Sequence, residues 1–92
     1  MSNATLTRAE AAAIAREAID LAYEHIARCP SAAGRLRART ALDAAEQSLA
    51  CDAARPAIRW ACAAVARLYG YASPEFAAVQ RKYEAVYESH LS

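Results

Sequence analysis

Punctuation constrains this chain more than any other feature. Pro30, Pro56 and the run Gly70-Tyr71-Ala72-Ser73-Pro74 divide 92 residues into four pieces of helix length. Proline cannot continue a helix beyond its first turn, and glycine readily adopts the conformation that closes one. Between these marks apolar residues recur at helical spacing, and no run alternates strictly between apolar and polar as a strand would. The expected fold is all-α: a compact four-helix bundle with short loops and one helical domain over residues 1–92. Its helices are expected at about 7–29, 32–51, 54–69 and 74–90.

The first helix carries a capping box, Thr7-Arg-Ala-Glu10, with Leu6 placed to staple onto its first turn. Ile14, Ala18, Leu21, Ala22, His25, Ile26 and Cys29 fall on one side of it. Arg16–Asp20 and Glu24–Arg28 are i,i+4 pairs on the other. Ser31 caps the second helix, whose apolar line is Ala38, Ala41/Leu42, Ala45 and Leu49, with Leu36 off that line. Asp52 is the expected cap where helix 3 begins; one helix kinked at Pro56 is the competing reading. Helix 3 is apolar over most of its circumference, its only charges being Arg55, Arg59 and Arg67. Such a helix is either the centre of the bundle or a surface for a partner. Gly70 closes it, with Tyr71 expected to pack back. Helix 4 opens with Ser73-Pro74-Glu75 and aligns Phe76, Val79, Tyr83, Val86, Tyr87 and His90. The stretch from Arg67-Leu-Tyr-Gly-Tyr through Tyr83-Glu-Ala-Val resembles one tetratricopeptide helical hairpin. No second copy lies upstream, and the resemblance implies no function here.

The hydrophobic fraction is 57%, but 27 residues are alanine. At roughly 25 cal/mol per Å² of buried apolar surface, such a core stabilises modestly. A partner or a second copy of the chain could supply further burial. The net charge of +1 exerts no global pull towards nucleic acid or anionic lipid. Residues 26–72 are locally basic, with seven arginines against Asp43, Glu46 and Asp52. Ten arginines, one lysine and abundant alanine suggest a GC-rich bacterial genome, or one of its phages or plasmids. The first residues lack a basic segment followed by an apolar one, and no run reaches the ~18 apolar residues of a spanning helix. Three cysteines without paired spacing fit a reducing compartment. The expected location is the cytoplasm.

His25 and Cys29, four apart, could point at one spot, with Cys51, Cys62 and His90 completing a metal set. There is no CxxC or HxxxH, so these are read as core residues, and no metal or cofactor is expected. Glu17, Asp20 and Glu24 share one solvated face, and no nucleophile motif occurs, so no enzyme is expected. Arg35, Arg37 and Arg39 open helix 2 and suit phosphate, yet they spread around the helix. Trp60 on helix 3, with Ala57, Ala64 and Leu68 and flanked by Arg59, Arg67 and Tyr71, is of the residue types enriched at interface hot spots. The expected function is a small helical protein-binding module docking on a larger host complex. An inhibitor of anti-CRISPR type encoded by a phage or mobile element, or an adaptor, would suit the size and the genome signature. The alternative is a nucleic-acid-associated regulator that binds phosphate through the arginines of helices 2 and 3.

Overall fold

Thr7 starts the first helix as its capping box requires. Its Oγ1 accepts from the Glu10 amide at 3.1 Å, and the Glu10 carboxylate accepts from the Thr7 amide at 2.8 Å. The computed structural model describes residues 5–87 and 90–91. Four helices follow in order: α1 (Arg8–Ala27), α2 (Ala32–Ala50), α3 (Ala54–Tyr69) and α4 (Pro74–Tyr87). The fold is an all-α four-helix bundle.

Helix α1 stops two residues short of the expected end. Arg28 is its C-cap, and Cys29 donates its amide to the Ile26 carbonyl three residues back. The cause is Pro30, whose ring crowds helical geometry in the residue before it. His25 and Cys29 therefore do not share the face that an unbroken helix would give them. Ser31 caps α2 as expected, its Oγ accepting from the Gly34 amide at 3.0 Å.

The junction of α2 and α3 resolves into two helices, and Asp52 has a different role from the one its sequence position suggests. Asp52 adopts φ 61°, the left-handed region. Its amide donates to the Leu49 carbonyl and the Ala53 amide donates to the Ser48 carbonyl, both ending α2. This is a Schellman closure, and aspartate is one of the few side chains that tolerates the conformation. Ala53 becomes the N-cap of α3 with no side-chain hydrogen bond. Pro56 sits in the first turn of α3, where its missing N–H has no helical acceptor to lose. At the other end Gly70 has φ 86° and donates its amide to the Ala66 carbonyl. The Ser73 hydroxyl then accepts from the Phe76 amide and donates to the Gly70 carbonyl, starting α4.

The fourth helix ends at Tyr87 rather than 90. His90–Leu91 (β2) instead pairs in parallel with Thr5–Leu6 (β1), in the register Thr5 to His90 and Leu6 to Leu91. A two-residue pairing between distant segments leaves no periodic trace for sequence reasoning to find.

Helices α1 and α3 each touch the other three, but the contacts of α3 are the most extensive with every one of them, and this places it at the centre of the bundle. Twelve of the twenty buried apolar residues among the described ones are alanines. The large, fully enclosed side chains are Ile19, Leu42, Ile58, Val65, Val79 and Val86. Ile19 lay outside the apolar stripe expected for α1. Its face and that of Ala11 and Ala15 are buried too, because α1 touches three neighbours and needs a wider covered arc than one stripe. Across the surface, Arg16 holds Glu46 of α2 through two hydrogen bonds of 2.8 and 2.9 Å, and Lys82 of α4 meets Glu17 at 2.9 Å. The Arg16–Asp20 pair forms at 3.2 Å, whereas no Glu24–Arg28 ion pair occurs among the described residues. Arg28 is the C-cap, still in right-handed backbone geometry, and Glu24 lines a groove with Glu17, Asp20 and Lys82 instead. No described helix is long and apolar enough to cross a membrane.

Candidate functional site

Central as it is, α3 still has an outer face, and that face is sharply distinct from the inner one. Ala54, Ala57, Ile58, Ala61, Cys62, Ala64, Val65 and Ala66 point inward and are buried. Small side chains here let the neighbouring helices approach closely, and this close approach fixes how α3 is rotated. Trp60 is thereby turned outward, where it keeps 40% of its surface exposed. Its outward neighbours are Pro56, Arg59 and Ala63, which line a shallow cavity of about 350 Å³ with it. Ala57 and Ala64, expected beside it, lie on the buried side, and Leu68 packs against the core.

A second depression adjoins the first through Arg59 and Ala63 and runs towards α4. Phe76, Gln80 and Tyr83 line it, with Tyr71 at its edge. Tyr71 does not pack back onto α3. It is 77% exposed and meets the Phe76 ring edge-on at 5.1 Å. The contributions of Pro56, Ala63, Phe76 and Tyr83 were not picked out from the sequence. The spacing of Pro56, Trp60, Ala63 and Arg67 at i, i+4, i+7 and i+11 is the signal that carries part of them.

The electrostatics of this face are one-sided. Residues 54–69 contain no carboxylate, and Arg59 has no ion-pair partner among the described residues. Arg67 lines neither depression; it donates to the Arg37 carbonyl of α2 at 3.3 Å. Arg35 and Arg39 lie elsewhere, in a groove between α1 and α2 lined also by Tyr23, Ile26 and Leu36. Arg35 donates to the Cys29 carbonyl there. The three arginines that open α2 are thus divided between two surfaces, as their spacing implies.

The titratable groups of the core serve packing. Burial pushes the Cys62 thiol up to about 11, far from a reactive thiolate. Tyr69 donates its hydroxyl to the His25 carbonyl at 2.6 Å, satisfying an acceptor in the last turn of α1, and burial raises its phenol. The Nε2 of His25 has no hydrogen-bond partner among the described residues, and its ring stands edge-on to Tyr69. No group of three His, Cys, Asp or Glu side chains is placed to hold a metal ion among the described residues. No family model matches the chain, and neither a curated protein nor a solved structure matches it.

Proposed function

We propose that the protein is a non-enzymatic binding module that docks on a larger protein complex through the outer face of α3. The observation that carries this reading is the exposed Trp60, held in a cationic, carboxylate-free setting beside a groove that continues to Phe76 and Tyr83. A small domain gains by covering its largest side chain. Leaving a tryptophan 40% exposed at the centre of its central helix provides a ready anchor for a partner. Arg59 and Arg67 add charge-assisted hydrogen bonds of the kind that orient an interface. An inhibitor or adaptor carried by a phage or mobile element is the form of activity that this reading favours.

The test uses the full chain as bait in a bacterial lysate, with Trp60→Ala and Arg59→Glu as paired baits. The expected result is a protein retained by the wild type and lost with both variants, while their helix content by circular dichroism is unchanged. Equal retention by all three baits overturns the reading. If duplex DNA is bound instead, with affinity falling steeply with salt and depending on Arg35, Arg37 and Arg39, the nucleic-acid alternative replaces it.

A further inference from the structure

We propose that the groove between α1 and α2 is a second docking surface, separate from the α3 face, which takes an acidic protein segment through a bulky apolar side chain. The cavity measures about 470 Å³, within the range of about 300–1,000 Å³ typical of ligand clefts. Ile26 and Ala27 of α1 and Leu36 of α2 supply its apolar lining, with Tyr23 alongside. Leu36 is 73% exposed, although α2 has a complete buried face in Ala38, Ala41, Leu42 and Ala45. Nothing in the bundle requires a leucine at that position.

The charge around the groove selects the occupant. Arg35 and Arg39 stand on its wall, Arg28 is exposed at the nearby end of α1, and no carboxylate lines it. The Cys29 carbonyl orients the Arg35 guanidinium without cancelling its charge. The acids near enough to matter are accounted for. Glu24 lines the groove on another side of α1 with Glu17 and Asp20. Glu46 reaches the groove's edge, where it accepts from the Tyr23 hydroxyl, but its charge is matched by both terminal nitrogens of Arg16. Asp43, one turn beyond Arg39, makes no ion pair among the described residues, so one unmatched acid stands against three arginines. A second copy of the chain docked about a two-fold axis would bring Arg28, Arg35 and Arg39 against themselves, which like-charge repulsion opposes. A nucleic-acid strand would need the cations in a track, yet Arg37, two residues from each of Arg35 and Arg39, falls on the other side of α2 and is absent from the groove. An acidic segment bearing a leucine-like side chain satisfies both the wall and the floor.

The probe is a synthetic peptide of Glu and Asp with a central pair of leucines, titrated into the isotope-labelled full chain and followed by amide NMR shifts. Three comparisons run beside it: the same peptide with serines for leucines, an oligothymidylate of equal length, and sedimentation of the chain alone. The expected result is shifts centred on Tyr23, Ala27, Leu36 and Arg39. Binding should weaken roughly tenfold in Leu36→Ser and in Arg39→Glu, as for loss of an interface anchor, and stay unchanged in Trp60→Ala. Because Leu36 and Arg39 are exposed, both variants keep the fold. Equal binding of the serine peptide, tighter binding of the oligothymidylate, shifts centred elsewhere, no binding, or self-association lost in Leu36→Ser would each overturn the proposal. An unchanged result in Trp60→Ala keeps this test separate from that of the α3 face.

Discussion

Ile58 and Trp60 are two residues apart on α3 and face opposite ways, so truncating each to alanine tests how the helix is rotated. Ile58 is fully buried. Ile58→Ala removes three carbons, and at about 0.8 kcal/mol per buried CH₂ the transfer cost is roughly 2.4 kcal/mol. The neighbouring Ala54, Ala57 and Ala61 have no side-chain torsions with which to refill the space. A residual cavity of about 50 Å³ therefore persists and adds roughly 1.2 kcal/mol at ~24 cal/mol per Å³. The total, about 3.6 kcal/mol, is a large part of the ~5–14 kcal/mol expected for a chain of this length. At about 4–8 °C per kcal/mol, Tm should fall by roughly 14–28 °C. Trp60 keeps 40% of its surface wet, and its removal opens onto solvent with no enclosed cavity. Scaling the full burial of a large side chain by the covered share gives roughly 1–1.8 kcal/mol. Thermal melts followed by circular dichroism at 222 nm read both variants. A loss in Trp60→Ala equal to that in Ile58→Ala would refute the reasoning, since Trp60 would then be a core wedge and the candidate site would lose its anchor.

Three further outcomes follow from particular contacts. The Arg16 guanidinium holds the Glu46 carboxyl below its ordinary value of 4.5, so the pair stabilises the fold above that pH. The contribution is lost as pH falls through the lowered folded value. Both side chains are more than a third exposed, so its size is under about 1 kcal/mol; Tm measured from pH 6 to 3 should fall less steeply in Glu46→Gln than in wild type. A Cβ on Gly34 would lie 2.7 Å from the Leu68 Cδ2 and 3.2 Å from the Ser31 Oγ, so Gly34→Ala sets a gain in helix propensity of about 1 kcal/mol against a clash. In a Leu68→Ala background the closer of the two contacts is gone, and urea titration should show Gly34→Ala more favourable there than in wild type. Cys51 is exposed while Cys62 is buried with its thiol pushed up to about 11; at pH 8 a disulfide reagent should label Cys51 first and Cys62 only as the fold opens, so that adding urea speeds the labelling of Cys62 alone.

The candidate site was partly legible in advance. Trp60, Arg59, Arg67 and Tyr71 stand out by residue type, and three of them lie on a helix without acids. Their companions did not stand out, because Phe76 and Tyr83 reach the groove from α4 and no spacing within α3 encodes that approach. Leu36 is legible from the sequence alone. It lies off the apolar line of α2, and its exposure follows from that position alone.

What the chain determines by itself is local. The Thr7–Glu10 box, Ser31, Gly70 and Ser73-Pro74 place helix ends through hydrogen bonds and torsional limits that span a few residues, and each holds in the fold. Even the early end of α1 follows from Pro30 acting on its immediate neighbour. The tertiary structure decided what depends on distant neighbours. The rotation of α3, and with it the outward turn of Trp60, comes from alanines that let α1, α2 and α4 close in on one side. In a chain with so many small residues, helical periodicity shows where a face lies but not which neighbour covers it, because alanine is tolerated equally well in a tight interface and in water.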